Sequence, residues 1–343
     1  MKTALVCGAG GFIGSHLVRR LKAEGFWVRG VDLKLPGFSP TAADDFVQGD
    51  LRDPVLCRTI VESPAPGRVF DEVYQLAADM GGAGYIFTGE NDADIMHNSA
   101  TINLNMLDAL QRRGVGRVFY SSSACIYPEH NQLDPDNPNC EESSAYPAAP
   151  DSEYGWEKLF SERMARHYRE DYGLATRVAR YHNVYGPEGT YDGGREKAPA
   201  AICRKVIAAK MSGKHEIEIW GDGEQTRSFM YIDDCTDGTI RLLQSDIIEP
   251  LNIGSDELVS INRLVDIVEK IAGVKLKRSY KLDAPKGVRG RNSDNTLIKK
   301  LMNWAPSIRL EDGMEKTYKW IHDEMTSGRR SVVNALPRGV AAQ

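Results

Sequence analysis

The chain is poor in cysteine and has no long apolar run. Six cysteines stand among 343 residues (Cys7, Cys57, Cys125, Cys140, Cys203, Cys235), none in C-x-x-C spacing. That spacing excludes the common zinc frameworks and, in a chain this long, a disulfide scaffold. Reduced thiols, no metal and a cytoplasmic location are expected. No stretch approaches the roughly 18 consecutive apolar residues of a membrane helix, so no membrane partner is expected. Positive charge is not in excess: 43 Lys+Arg face 48 Asp+Glu, a net charge of -5, which argues against nucleic-acid binding by bulk charge. Internal repeats are lacking. Met1-Lys2-Thr3-Ala4-Leu5-Val6 runs straight into a strand pattern, so no signal peptide is expected. What is present, 41% hydrophobic and 27% charged residues, is the composition of a folded globular chain. Its length suits two lobes.

Strand and helix patterns alternate. Residues 3–7, 27–31, 72–76, 117–120 and 175–180 read as short buried strands. Ile13, Leu17, Val18 and Leu21 recur at helical spacing before Gly25, and 95–110 reads as a long helix. This alternation predicts an α/β fold, a Rossmann doubly wound parallel sheet covered by helices, over residues 1–180. A segment at about 230–255 is expected to return to it. Past Tyr181 the strand signals shorten and glycine, proline and arginine become frequent. A smaller mixed α/β substrate lobe is expected over 181–326, with a flexible tail over 327–343.

Gly8-Ala9-Gly10-Gly11-Phe12-Ile13-Gly14 joins the first strand to the first helix. Glycines there admit a diphosphate to the backbone N–H groups and to the positive end of the helix dipole. Asp32, at the end of the second strand, suits the adenosine ribose hydroxyls and repels a 2′-phosphate. The cofactor expected is therefore NAD, held by Gly8, Gly11, Phe12, Ile13, Gly14 and Asp32, with Ala77 close by. Lys34 is a counter-signal, since a cation there could hold a 2′-phosphate. Asp50-Leu51 either caps the adenine amine or forms a plain turn.

Tyr154-Gly155-Trp156-Glu157-Lys158 is Y-x-x-x-K, and positions i and i+4 of a helix share a face. The Lys158 ammonium and a positively charged nicotinamide would both lower the tyrosine pKa. Ser121-Ser122-Ser123 ends the fourth of the strand patterns, where a sheet faces its ligand crevice. A serine there can bond a substrate hydroxyl while Tyr154 takes its proton. Gly8-x-x-Gly11-x-x-Gly14, Asp32, Ser123, Tyr154 and Lys158 together resemble the extended short-chain dehydrogenase/reductase superfamily. That resemblance implies NAD and a nucleotide-sugar substrate.

Further stretches resemble the GDP-mannose 3,5-epimerase family within it. These are Ala77-Ala78-Asp79-Met80-Gly81-Gly82, Ser122-Ser123-Ala124-Cys125-Ile126-Tyr127-Pro128, residues 193–201, 220–229 and 287–294. The resemblance implies that Tyr154 opens C4 oxidation of a GDP-mannose-type substrate. Cys125 and Lys197 would then exchange protons at C3 and C5. Which of the two is base at each carbon stays open. It also implies substrate contacts from Gly81, Ser123, Ala124, Cys125, Asn183, Glu196, Lys197, Ala198, Lys205, Gln225, Thr226, Arg227 and Arg291. The arginines would suit the diphosphate. Pro199 suits the first turn of a helix and sets Lys197 just before its start. Glu90, Asp92 and Asp94 depart from the family pattern. The superfamily habit implies a homodimer. The alternatives are a UDP-sugar 4-epimerase, which has no need of Cys125 or Lys197, and a non-catalytic NAD-binding protein.

Overall fold

Six strands of the first half pair in parallel: β1 (Thr3–Cys7), β2 (Trp27–Asp32), β3 (Asp45–Gln48), β4 (Glu72–Gln75), β5 (Arg117–Ser123) and β6 (Ala175–Tyr181). A seventh, Leu251–Ile253, arrives much later in the chain and pairs with β6. The order across the sheet is Leu251–Ile253, β6, β5, β4, β1, β2, β3. This is a Rossmann-like α/β sheet. The computed structural model describes residues 1–64, 67–284 and 287–327. Apart from Ser327, the expected tail lies outside the described residues.

The strands β1, β4, β5 and β6 are buried almost throughout because helices cover both faces. Val6, Tyr74 and Phe119 pack with Leu17 and Leu21 on one side. Their neighbours Leu5, Val73 and Val118 pack with Met106 and Leu110 on the other. Period-2 alternation within a strand sends adjacent residues to opposite faces, so a doubly covered strand is apolar throughout.

Three differences from the sequence reading have physical reasons. The edge strand β3 carries one clear apolar pair, Phe46 and Val47, and is too short to show a period. The long helix spans Asp92–Arg113, beyond the expected 95–110 at both ends. Asp92 and Asp94 stand in its first turn, where they meet the positive end of the dipole. Gly114 closes it in a left-handed cap. Finally, β5 runs on past the expected Tyr120, so that Ser121–Ser123 are its last residues.

Helices Ala198–Ser212, Ile261–Ala272 and Leu310–Thr326 pack on one another beyond the sheet. Beside them lie the parallel pair Glu216–Trp220 with Lys277–Lys281 and the small sheet Leu258–Ser260, Thr226–Ser228, Gly290–Arg291. No helix of the described residues is long and apolar enough to cross a membrane.

Candidate active site

β1 turns through the glycine loop into the Phe12–Ala23 helix, which starts without a side-chain cap. Its first N–H groups are therefore unspent by the helix itself and carry the positive end of the dipole. They stand where the strand order reverses between β1 and β4, the ligand crevice of such sheets. The loop is closely packed: a Cβ on Gly14 would fall 2.0 Å from the Gly8 carbonyl oxygen, and one on Gly10 1.9 Å from that of Lys34. Asp32 is tied to the loop. Its Oδ2 accepts the Gly10 N–H at 3.0 Å and its Oδ1 the Lys34 N–H at 3.2 Å, while burial raises its pKa. The Lys34 side chain itself is exposed. The Ala77 backbone packs against Gly8, with its nitrogen 2.9 Å from where a Cβ would stand. Gly8, Gly11, Phe12, Ile13 and Gly14 are the residues that would hold a dinucleotide diphosphate, with Asp32 for its ribose, and the donor set fits NAD. Asp50 serves a turn in this structure. Arg52 grips its carboxylate with Nε and Nη2 at 3.0 and 2.6 Å, which holds its pKa down. Leu51 is buried.

The helix Glu153–Tyr172 is capped by Ser152, whose Oγ accepts the Gly155 N–H at 3.3 Å. One turn separates Tyr154 from Lys158, and both are buried. Gly155 lets this helix press on the chain after β5: a Cβ there would fall 2.2 Å from the Cys125 carbonyl oxygen. Lys158 Nζ donates to the Ser121 carbonyl at 2.9 Å and lies 5.6 Å from the Tyr154 ring centroid. Among the protein groups, burial dominates the Tyr154 phenol. Burial pushes the phenol far above the ordinary tyrosine value, with Cys125 and Glu157 adding to it and the Ser123 hydroxyl opposing. Burial lowers Lys158 as well. Desolvation disfavours both ions, and here it outweighs their attraction.

Beneath them lies a buried ion pair. Arg180 Nη2 stands 2.9 Å from Glu162 Oε2, and Ser122 Oγ donates to Glu162. Arg180 and Ser122 are register partners in β6 and β5, so the pair locks the end of β5 to the Tyr154 helix.

A cavity of about 450 Å³ opens over this end of the sheet. Ser123, Ala124, Cys125 and Tyr154 form its floor; Gly81 and Gly82 come from one strap, and Glu196, Lys197 and Ala198 from another. Asn183, Lys205, Gln225, Arg227 and Arg291 complete its wall. Ser123 Oγ accepts the Cys125 N–H at 3.2 Å, closing a short 3-10 turn. Lys197 is the N-cap residue of Ala198–Ser212, with proline in the first turn. Burial lowers its pKa. Lys205 Nζ donates to the Glu218 carbonyl at 3.0 Å, Asn183 Nδ2 to that of Ser228 at 3.2 Å, and Glu196 accepts the Gly194 N–H at 2.7 Å. Gln225 Nε2 donates to the Trp220 carbonyl at 2.8 Å, leaving its buried Oε1 without a partner among the described residues.

Two parts of the wall are held by the protein itself. Thr226 lies off the cavity, and its hydroxyl donates to the Pro135 carbonyl. Both arginines are hydrogen-bonded within the protein. Arg227 donates to the carbonyls of Thr226 and Val288 at 2.7 and 2.6 Å, and burial with the nearby Arg291 draws its pKa down to about 10. Arg291 meets Gln132, Cys125 and Asp151 with its three nitrogens. Lys158 and the glycine loop lie behind the cavity rather than on its wall.

The dinucleotide cradle beside Tyr154 and Lys158 agrees with what comparison finds: residues 4–254 match the NAD dependent epimerase/dehydratase family. The chain belongs to this family. An epimerase/dehydratase relative, the GDP-mannose 3,5-epimerase of Arabidopsis thaliana, is 47% identical over 322 residues, 93% of this chain and 82% of the relative. Among solved epimerases, the UDP-glucose 4-epimerase of Thermotoga maritima, with UDP-glucose, superposes with a TM-score of 0.82 at 26% identity, over 94% of this chain and 99% of that one. The UDP-glucuronic acid 4-epimerase of Bacillus cereus, in complex with UDP-glucuronic acid and NAD, gives 0.73 at 26%, over 93% and 98%.

Sequence reading missed several residues of this epimerase/dehydratase site. Gln132 and Asp151 clamp Arg291 but sit far from it in the chain, and nothing near either marks a partner. Trp220 lines the wall at the end of its strand. Arg195 stacks 3.9 Å from the Tyr85 ring centroid, joining the two straps over the cavity. The alternation of exposed and buried residues in Glu216–Trp220 was the available signal for Trp220.

Proposed function

We propose that the chain is a GDP-mannose 3,5-epimerase, converting GDP-mannose to GDP-L-galactose, with GDP-L-gulose from inversion at C5 alone. The observation that carries this is the meeting of Cys125 and Lys197 with Tyr154 and Ser123 on one cavity. A 4-epimerase needs only the latter two with Lys158. The 47% identical relatives that bear this activity in their names support it.

Ser123 and Tyr154 engage the 4-hydroxyl of the sugar, the serine as a hydrogen-bond partner and the tyrosine as proton acceptor. The glycine loop and Asp32 would hold NAD, which would supply the acceptor and later the donor of the C4 hydride and a positive charge favouring the Tyr154 phenolate. Lys158 steadies the phenolate from behind and keeps the β5 end in place through Ser121. A ketone at C4 acidifies the hydrogens on C3 and C5, since each carbanion is delocalised as an enolate. Cys125, from the floor, and Lys197, from the strap, then remove a proton from one face and return one to the other. Lowering of the Lys197 pKa by burial increases the neutral amine that base work requires.

A homodimer is part of the proposal. Trp156 and Phe160 expose one apolar edge of the Glu153–Tyr172 helix, and Met96 and Leu104 a stripe of the adjacent Asp92–Arg113 helix. A second copy would cover both. Six unpaired thiols suit a reducing, cytoplasmic setting.

Incubation of the NAD-loaded protein with GDP-mannose in D₂O tests the chemistry. Deuterium at C3 and C5 is expected. Its absence at both carbons overturns the reading, and C4 inversion of UDP-glucose without solvent exchange would make the chain a 4-epimerase instead.

A further inference from the structure

The loop that follows Asp32 is pinned at both ends and in the middle. It starts at the ribose acid, where the Lys34 carbonyl closes on Gly10. It ends at Asp44, whose carboxylate accepts from Lys22 Nζ at 2.7 Å. Between them Phe38 sets its ring edge-on to Trp320 of the Leu310–Thr326 helix, with centroids 4.9 Å apart, and 6.1 Å from the ring of buried Tyr191. Next to it, Ser39 Oγ donates to Glu188 Oε2 and accepts from Arg19 Nη1, both at 2.8 Å. Arg19 Nη1 also donates to Glu188 Oε2 at 2.9 Å.

Glu188 belongs to the turn Gly186-Pro187-Glu188-Gly189, and its backbone stands at φ 64°, in the left-handed region that a residue with a β-carbon rarely takes. Such a conformation persists where the surroundings hold it. Here Arg19 and Ser39 hold the carboxylate, and His16 Nε2 meets the Pro187 carbonyl at 3.0 Å. The turn lies on the Phe12 ring: β-carbons on Gly186 and Gly189 would stand 3.5 and 3.7 Å from it. Phe12, His16 and Arg19 all belong to the helix that the glycine loop opens.

We propose that the Ser39–Arg19–Glu188 clasp, with Phe38 seated against Trp320 and Tyr191, fastens the 33–44 loop and the 186–189 turn over the adenosine side of the dinucleotide site and sets how slowly NAD leaves. Phe38 and Ser39 are neighbours in the chain. Lifting the loop therefore breaks the aromatic seat and both serine hydrogen bonds together. The ionic part is half-exposed and adds little to the stability of the fold. Its effect is on the rate at which the loop opens. An epimerase gives back to its sugar the hydrogen it has taken, so a cofactor lost between those steps would strand the sugar. A fastened loop guards against that loss. The clasp serves the cofactor alone and does not depend on which sugar the enzyme takes.

The test starts from the NAD-loaded protein without sugar. Release of NAD is followed after dilution, with an added dehydrogenase trapping and reporting the free dinucleotide, and affinity is read by equilibrium dialysis against NAD. Phe38→Ala removes the aromatic seat and should speed release about tenfold. Glu188→Gly removes the carboxylate and should speed release about three- to fivefold. In both, affinity should fall by less than release quickens, because a loosened cover admits NAD faster as well. Should Phe38→Ala fail to fold, Glu188→Gly decides alone, since glycine suits the left-handed backbone at that position. Unchanged release in the folded variants overturns the proposal. So does a fall in affinity as large as the whole gain in release rate, which is what general damage to the site would give. None of these readings involves turnover or a sugar, so they stand or fall apart from the reaction proposed above.

Discussion

The floor and the roof of the cavity are built on different terms. On and beneath the floor, Tyr154, Lys158, Ser122, Glu162 and Arg180 are buried, and strand or helix backbone fixes each one. On the roof, the straps meet through half-exposed contacts: Arg195 stacks on Tyr85 and lies 3.7 Å from Asp79, and Tyr85 Oη donates to Asp79 at 3.0 Å. Beneath the cavity, desolvation sets how each group behaves. In the half-exposed contacts between the straps, water weakens each one. Damage to the floor should therefore be costly and damage to the roof slight.

Tyr154→Phe tests the floor most severely. Turnover should fall by about 10³-fold or more, while NAD content stays that of the wild type because the glycine loop is untouched. Turnover within tenfold of normal would remove Tyr154 from the reaction. Next comes Glu162→Ala, which strands the buried Arg180 charge; urea denaturation should register a loss of about 3–5 kcal/mol. A loss below about 1 kcal/mol would mean that the ion pair does not hold the floor.

The third effect depends on pH. His182 is fully buried, and burial lowers its pKa from 6.5 to about 3. The unfolded chain thus takes up this proton before the folded one does. Stability contributed by neutral His182 is complete above about 6.5 and drains as pH falls toward 3, at up to about 1.4 kcal/mol per pH unit. His182→Gln should flatten that part of the stability–pH curve, and equal slopes in both proteins would contradict it. The smallest effect belongs to the roof. Arg195→Ala removes one half-exposed stack, so KM should rise about two- to fivefold with kcat unchanged. A large fall in kcat would erase the distinction between roof and floor.

Legibility follows the same division. The glycine loop, Asp32, Tyr154 and Lys158 are readable because each depends on spacing within one turn, strand or helix. Local geometry then carries the pair to its place. The Arg291 clamp depends on contacts 140 to 166 residues apart in the chain, and no period or motif records those. Asp151, in Pro150-Asp151-Ser152, reads simply as part of a helix start. Thr226 stands apart for a related reason: its neighbours Gln225 and Arg227 reach the cavity, and in extended chain the residue between them turns the other way. A sequence displays the cation beside Tyr154 but not the depth at which both groups sit, so the opposing pull of burial on the phenol is not legible there.

The late strand Leu251–Ile253 has a consequence for biosynthesis. Its Asn252 accepts from Tyr127 Oη at 2.7 Å, contacts His182 Nε2 at 2.9 Å and donates to the Cys140 carbonyl at 2.8 Å. A nascent polypeptide emerging from the ribosome possesses six strands once Tyr181 is made, yet β6 stays without this edge partner, and Tyr127 and the Cys140 carbonyl without Asn252, for some seventy more codons. Translation must run well into the second half before the first half can finish folding.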